Sequence, residues 1–393
     1  MADKINRVAV IGAGTMGSDF SLLFAFSDFD VVVNDISQAA LDRLAEKQKR
    51  TMDELHALGV TRKEFETVRE KITVATKLED VKDVDFVLEA VKEDLSIKRK
   101  LFKELDNTLP QEVVLATNTS SLRVSDIAKG LKGADRIGLM HFSNPPILSP
   151  LVEVMKGEQT SEETLKTIAG VAEKIGKTPV TLEKDMNGAV LNRVLEGLSK
   201  DALWAIQRGE VTPEELDASF RALGISTGLA EAVDQIGLDV ALEVSRIFRK
   251  AYGKRLEFPE NLLLTMIRDG RLGKKSGRGF FDWSKGPPVI DLKLAGKYDV
   301  MRVFANAANE AFWLITDKMA DPKTIDTVTK LGLMAPVGMC ELADTIGLDK
   351  LLEILNKLYT EYEMELYKPC PLFEEYVKNG WTGQAAGKGF HKY

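Results

Sequence analysis

The sequence predicts an α/β chain: a doubly wound, mostly parallel sheet followed by two all-helical domains. Three observations predict it. A β-branched run, Arg7–Ile11, leads into Gly12-x-Gly14-x-x-Gly17 and then into a stretch with helical spacing. Strand-like stretches then recur as far as Met155, with helical patterns between several of them. From Asn187 onward the pattern is helical and repeats itself at a fixed offset. The domains expected are 1–186 for the sheet, and 187–285 and 292–393 for the two helical copies.

Arg7–Ile11 reads as a buried strand, and Ser18–Phe26 as a helix packed through Phe20, Leu23 and Phe24. Of the glycines between them, Gly12 permits the tight turn, Gly14 lets backbone approach a pyrophosphate, and Gly17 lets the helix pack on the strand. Thr15 and Met16 complete this binding loop, whose helix N-terminus points free N–H groups at the phosphates. A bare glycine motif is often an ordinary turn. Here the strand precedes it, the helix follows it, and a second strand, Val31–Asn34, ends in Asp35, 18 residues past Gly17. A carboxylate at that place meets the adenine ribose 2′-OH. Asp35 repels a 2′-phosphate, and Ile36 stands where an NADP enzyme places an arginine. The first domain is therefore expected to be a Rossmann domain that binds NAD.

Ala39–Leu58 reads as one long charged helix with Leu41, Leu44, Met52 and Leu55 on its apolar side. Lys47, Lys49 and Arg50 form a basic cluster on it. A solvated face is the ordinary reading of such a run, and contact with a substrate phosphate the alternative. Further strands are expected at Ile72–Ala75, Asp85–Glu89, Val113–Thr117, Arg136–Met140 and Val152–Met155, with a helix at Ile97–Leu109. In such a sheet, chemistry belongs at the carboxyl ends of the strands.

Composition narrows the function classes. With 393 residues the chain has room for two or three domains. A net charge of −7 gives no footprint for nucleic acid. Met1–Arg7 runs straight into the first strand, which leaves no room for a signal peptide. No apolar run approaches the ~18 residues that span a membrane. A cytoplasmic protein with no membrane partner is expected. Cys340 and Cys370 are far apart, which suits a reducing compartment rather than a disulfide framework. No Cys/His cluster has metal-ligand spacing, so no metal is expected.

Three strand ends are chemically loaded. Glu89-Ala90-Val91-Lys92-Glu93 closes one, with Lys98 five residues beyond Glu93. Thr117-Asn118-Thr119-Ser120-Ser121 closes the next; read bare, it could simply cap a helix. The third is Met140-His141-Phe142-Ser143-Asn144-Pro145-Pro146. Of three histidines, His56 lies in the charged helix and His391 in the last three residues. His141 alone stands at a strand end. Histidines so placed are often structural, yet one there suits general acid–base work. Twelve residues on, Glu153 is a carboxylate inside the apolar strand Leu151-Val152-Glu153-Val154. Buried carboxylates usually have partners. A His141–Glu153 pair is the economical solution, with Glu153 fixing the ring's tautomer and stabilising its charged form.

With these residues in place, the chain resembles the L-3-hydroxyacyl-CoA dehydrogenase family over essentially its whole length. The marks are Gly12–Gly17, Glu89-Ala90-Val91-x-Glu93, Asn118-Thr119-Ser120-Ser121-Leu122, His141-Phe142-x-Asn144-Pro145, Leu151-Val152-Glu153-Val154 and Gly188-x-x-x-Asn192-Arg193. The resemblance implies a Rossmann NAD-binding domain followed by all-α C-terminal dehydrogenase domains, with an acyl-CoA thioester as substrate. It implies His141 as the base that takes the 3-hydroxyl proton, with Glu153 orienting it. Ser120 and Asn192 would hydrogen-bond the reacting oxygens. Glu93, Lys98, Ser120, Asn144 and Lys275 would contact the cofactor. Ser143, Ser149-Pro150 and Asp185–Ala189 depart from the family pattern. Pro145-Pro146 and Ser149-Pro150 are similar to the gulonate and carnitine dehydrogenases, relatives that oxidise free hydroxy acids without CoA.

The helical half is a duplication. Ala232–Asp239 answers to Leu342–Asp349, and Gly270, Gly273, Gly277, Gly279 and Phe280 recur 110 residues later. Gly286-Pro287-Pro288 lies between the copies and cannot continue a helix. Asn192-Arg193 becomes Met301-Arg302, and Lys275 becomes Ala385. The first copy keeps the polar site residues; the second keeps glycines and apolar positions. Single-copy relatives dimerise through this domain, so the second copy is expected to take the partner's place within one chain. A third reading, a dinucleotide-binding protein without catalysis, is disfavoured because Ser120, His141, Glu153 and Asn192 are all intact.

Overall fold

The protein is described from a computed structural model over residues 4–393; Met1–Asp3, part of the leading stretch read above as running into the first strand, lie outside the described residues. The chain divides into two compact units. One is Met1–Ala189 with Thr327–Pro336; the other is Val190–Asp326 with Val337–Tyr393.

The first unit is built on β1 (Arg7–Ile11), β2 (Asp30–Asn34), β3 (Ile72–Ala75), β4 (Phe86–Glu89), β5 (Val114–Thr117), β6 (Ile137–Phe142), β7 (Leu151–Lys156) and β8 (Thr178–Leu182). Its helices are α1 (Thr15–Phe26), α2 (Gln38–Asp42), α3 (Leu44–Ala57), α4 (Phe65–Arg69), α5 (Leu95–Thr108), α6 (Val124–Ala128) and α7 (Glu162–Lys174). The strands form one sheet in the order β3-β2-β1-β4-β5-β6-β7-β8. β1 to β6 are parallel, β7 runs antiparallel to β6, and β8 is parallel to β7. This is the Rossmann order with its switch point between β1 and β4. The core is closed by apolar side chains from both layers. Val8 and Val10 of β1 meet Phe20 and Phe24 of α1, Met140 and Phe142 of β6, and Ile168 and Val171 of α7. The Phe20 and Phe142 rings lie 4.8 Å apart.

Two local expectations differ from this architecture. The single helix expected over 39–58 is two, α2 and α3, parted at Arg43. Ser37 caps α2 by accepting from the Ala40 N–H. The strand β8 lies beyond the last strand expected, Val152–Met155, and carries Pro179, which masks it in the sequence. At the edge of the sheet a proline is tolerated, because its missing N–H costs no ladder bond.

The second unit is helical: α8 (Val190–Gln207), α9 (Pro213–Arg221), α10 (Leu229–Ile236), α11 (Leu238–Tyr252), α12 (Glu260–Arg268), α13 (Met301–Thr316), α14 (Pro322–Leu333), α15 (Met339–Ile346), α16 (Leu348–Tyr362) and α17 (Pro371–Lys378). The last seven residues of α14 fall in the segment assigned to the first unit. The duplication is visible bond by bond. Asp217 accepts the N–H groups that open α10, those of Ala230 and Glu231; Asp326 accepts those of Cys340 and Glu341, which open α15. Asp234 accepts Phe280 and Phe281 N–H and the Trp283 indole N–H. Asp344 accepts Phe390 and His391 N–H and the Tyr393 hydroxyl. The offset is 109 for the first of these aspartates and 110 for the second, so the second copy holds one extra residue between α14 and α15.

The copies meet along α8 and α13. Arg193 on α8 donates to Glu310 on α13 at 2.7 and 3.1 Å. Arg302 on α13 donates to Asp201 on α8 at 2.8 Å. Each pair is the other's mate under the 109-residue offset, so the contact is reciprocal, as in a twofold interface. Midway between them, a Cβ on Gly197 would lie 2.8 Å from the Ala307 Cα. The helices therefore cross at backbone contact, with small buried residues Ala305, Ala307, Ala308 and Ala311 on α13.

Candidate active site

The turn between β1 and α1 is built from its glycines. Gly12 has φ +110°, and a Cβ there would meet the Ala90 carbonyl oxygen at 2.6 Å. A Cβ on Gly17 would meet the Gly12 carbonyl oxygen at 1.8 Å. Gly14 has nothing within 4 Å of its Cβ position. Two glycines are thus required by the fold, while the third faces open space where a pyrophosphate can approach. Thr15 and Met16 open α1. Asp35, just past β2, accepts the Ala13 and Ser37 N–H groups, each at 2.8 Å. Lys47, offered above as a phosphate contact, donates to the Ala13 carbonyl at 3.1 Å and braces the same loop. Lys49 and Arg50 are exposed. The loop, the open face at Gly14 and the carboxylate at the end of β2 together fit a dinucleotide.

Across the sheet, at the carboxyl ends of β4, β5 and β6, the polar residues form one lattice. His141 and Glu153 are cross-strand partners in the antiparallel β6–β7 pair. Their side chains stand opposite each other, and His141 Nδ1 lies 3.0 Å from Glu153 Oε2. The two side chains are 4% and 0% exposed. A carboxylate only accepts, so Nδ1 carries the proton of that bond, and the lone pair of the neutral ring falls on Nε2. The antiparallel turn of β7 could not be read from sequence, yet it is what turns a twelve-residue separation into contact.

Ser120 sits in the turn after β5, held by Glu93. Glu93 Oε1 accepts from the Thr119 hydroxyl at 2.5 Å, Ser120 N–H at 2.9 Å, Ser121 N–H at 3.0 Å and the Ser121 hydroxyl at 2.8 Å. Asn118 Oδ1 accepts the Phe142 N–H at 3.0 Å, which ties the end of β5 to the residue after His141. Lys98 is buried, with its ammonium between Glu89 and Glu93. Asn187 donates to the Ser121 carbonyl. Asn144 follows the end of β6 and is exposed. Ser143 is buried, and its hydroxyl has no hydrogen-bond partner.

In the second unit, Asn192 occupies the first turn of α8, half-buried, and Lys275 lies in a short turn with its ammonium paired to Asp239. Glu89, Thr117 and Asn118 lie in the polar runs at the strand ends, but residue type alone assigns them no role. The pairing between neighbouring strand ends gives them their partners.

A Rossmann sheet with a dinucleotide loop at one strand end and a buried His–carboxylate pair at another defines a dinucleotide-dependent oxidoreductase. Comparison narrows the class. Residues 7–186 match the NAD-binding domain of 3-hydroxyacyl-CoA dehydrogenase, and residues 188–283 and 298–393 each match its C-terminal domain. The chain belongs to the 3-hydroxyacyl-CoA dehydrogenase family. It is 39% identical to a probable 3-hydroxybutyryl-CoA dehydrogenase of Deinococcus radiodurans over 280 residues, 70% of this chain and all of that protein. It is 28% identical to the fatty acid oxidation complex subunit alpha of a Shewanella species, over 95% of this chain and 55% of that protein. Among solved structures, 3-hydroxybutyryl-CoA dehydrogenase from Escherichia coli K12 superposes with a TM-score of 0.82 at 25% identity, covering 96% of this chain and all of that one. No helix among the described residues is long and apolar enough to cross a membrane, and no group of His, Cys, Asp or Glu there could hold a metal.

Proposed function

We propose that the protein oxidises a (3S)-3-hydroxyacyl-CoA to the 3-oxoacyl-CoA with NAD. The observation that carries this reading is the buried His141–Glu153 pair at the carboxyl end of β6, in the same unit as the dinucleotide loop. His141 Nε2 takes the proton of the 3-hydroxyl. Glu153, hydrogen-bonded at Nδ1, holds the ring in the tautomer that leaves Nε2 basic and stabilises the imidazolium that forms. NAD, when bound, would supply the acceptor for the C3 hydride. Ser120 and Asn192 hydrogen-bond the reacting oxygens, and Ser120 also faces the cofactor. Gly12, Gly14, Thr15, Met16 and Gly17 take the pyrophosphate; Asp35 takes the adenine ribose and favours NAD over NADP. Glu93, Lys98, Asn144 and Lys275 complete the cofactor's surroundings.

The duplicated helical copy serves, in this reading, as an internal replacement for a dimer partner. The reciprocal Arg193–Glu310 and Arg302–Asp201 pairs support it, since they are the bonds a symmetric dimer would make twice.

The test is turnover of a panel of 3-hydroxyacyl-CoA thioesters and free hydroxy acids, read by NADH absorbance. The thioesters are expected to turn over. Good activity on a free hydroxy acid, with none on 3-hydroxybutyryl-CoA, would replace this reading with a gulonate- or carnitine-dehydrogenase-like one, for which Pro145-Pro146 and Ser149-Pro150 speak. Tight NAD binding without turnover of either class would leave the non-catalytic reading.

A further inference from the structure

The ammonium of Lys98 lies 2.6 Å from Glu89 Oε1 and 3.3 Å from Glu93 Oε2. Among the described residues, the ion pairs of both glutamates are with this one lysine. All the remaining contacts are donors turned toward carboxylate oxygens. Glu89 accepts the Val91 N–H at 2.7 Å and the Thr117 hydroxyl at 2.6 Å. Glu93 accepts the four donors of the Ser120 turn described above. Burial opposes ionisation of Glu93, but Lys98 and the Thr119 and Ser121 hydroxyls outweigh it and hold the carboxyl below its usual range. Burial likewise opposes the charge on Lys98, and Glu89 and Glu93 outweigh it in turn. Two anions and one cation leave the cluster with one uncompensated negative charge.

The place of that charge matters. Asp35 at the end of β2 fixes the adenine half of a dinucleotide. A dinucleotide held there would cross the switch point between β1 and β4, which would bring its nicotinamide half toward the ends of β4 and β5. Glu89 and Thr117 are the last residues of those two strands. The nicotinamide ring is cationic in NAD+ and neutral in NADH. We propose that the uncompensated charge of the Glu89–Lys98–Glu93 cluster discriminates between the redox states of the cofactor, holding NAD+ more tightly than a neutral cluster would. The cluster then biases the equilibrium on the protein toward the oxidised cofactor, since differential affinity and reaction balance are linked. This inference rests on the orientation of NAD set by Asp35, and it does not depend on which substrate is oxidised.

Glu93→Gln in the full chain separates charge from contact. All four bonds to the Ser120 turn fall on Oε1, which the amide retains; what goes is the charge, together with the 3.3 Å contact of Oε2 with Lys98. NAD+ affinity is measured by calorimetry and NADH affinity by fluorescence, without substrate. The Kd for NAD+ is expected to rise about tenfold, as the loss of a partly screened unit charge would cause, while that for NADH stays nearly constant. Thr119→Val keeps the charge and loosens the turn, so it should move both affinities alike. If Glu93→Gln weakens both cofactors equally, or neither, the charge does not discriminate and the proposal fails. Should that variant not fold, Glu89→Gln removes the same charge from the other side of Lys98 and must shift the ratio in the same direction. If the unaltered chain binds neither cofactor, the dinucleotide reading itself is what has failed.

Discussion

His141 and Glu153 show what a single residue's setting decides. Each was legible as a polar residue in an apolar strand and the pair itself was expected, but the geometry that makes it, β7 running antiparallel to β6, is encoded by no local pattern. The pair predicts that His141→Ala lowers kcat by about 10²- to 10⁴-fold, the usual share of general acid–base catalysis, while NAD binding in a fluorescence titration survives. Near-normal turnover would mean another residue is the base. Asp19 on α1 was not legible at all, because an aspartate at helical spacing reads as solvated. Burial raises its pKa to about 6, with the Thr51 hydroxyl bond opposing, Glu54 adding to the rise and Arg50 opposing it. The folded pKa is thus raised above the unfolded 3.8. Above pH 6 both states are ionised, and the folded state carries the cost of a half-buried charge. As the pH falls from about 6 toward 4, the folded state takes up the proton first and gains stability. Asp19→Asn should therefore raise the Tm at pH 7.5 and leave it unchanged near pH 4. Roughly two pKa units set a ceiling of ~3 kcal/mol, and partial exposure reduces the expected gain to ~1 kcal/mol. A Tm gain of equal size at both pH values would show that something other than this titration is responsible.

At the scale of the element, the strand–glycine–helix unit was the most legible part of the chain, because backbone sterics fix glycines more firmly than packing fixes side chains. Its three glycines are nevertheless unequal. Gly17→Ala would drive a Cβ to 1.8 Å from the Gly12 carbonyl oxygen, so strand and helix must part. Gly14 has φ −69°, which alanine adopts freely, and its Cβ position is open. Gly14→Ala should keep its Tm and lose NAD affinity by more than about tenfold, because the new methyl would stand where the proposed pyrophosphate site lies. Gly17→Ala should lose both. Thermal melts beside calorimetric titrations of the two variants check this; a Gly14→Ala protein with unchanged NAD affinity would move the pyrophosphate elsewhere. Less legible were β8, where Pro179 masks a strand that only its edge position permits, and the break at Arg43, which no glycine or proline announces. Lys98 in α5 was legible as a motif residue, but not as a buried cation, because burial of a lysine depends on two carboxylates that arrive from the end of β4.

For the whole molecule, the repeat announced itself in sequence through glycines and aspartates whose bonds recur in both copies, whereas the α8–α13 crossing did not. The residues that make it, Arg193, Gly197, Asp201, Arg302 and Glu310, read separately as ordinary helix residues. Their reciprocity gives the last prediction. Arg193 is fully buried, and its guanidinium also lies 3.8 Å over the Tyr252 ring. Glu310→Ala would leave that cation without its carboxylate, and breaking a buried pair from one side costs about 3–5 kcal/mol. Replacing both partners, Arg193→Met with Glu310→Leu, should recover most of the loss, since no charge is then stranded. Denaturant unfolding followed by tryptophan fluorescence measures both. At the other end of the crossing, Asp201 also accepts the hydroxyls of Tyr298 and Tyr367, both of the second copy, so the same logic extends beyond α13. If the second copy is the internal partner, a chain ending at Lys285 uncovers the α8 face around Gly197, takes the carboxylate from Arg193 and leaves Asp201 with Arg208 at 3.7 Å as its ion-pair partner. Soluble monomers seldom expose large apolar faces, and in the full chain the tether keeps the second copy at high effective concentration. Light scattering should find the truncated chain dimeric, re-forming the crossing between two first copies, or aggregated. In such a dimer Asp201 would face position 193 of the other chain, and Arg193 position 201, so the two ion pairs of the full chain are regenerated as Arg193–Asp201 pairs made twice. A Glu substituted at Asp201 should strengthen that dimer by matching the reach of Glu310. A truncated chain that stays monomeric, soluble and fully active would show that α13 is not standing in for a partner's α8.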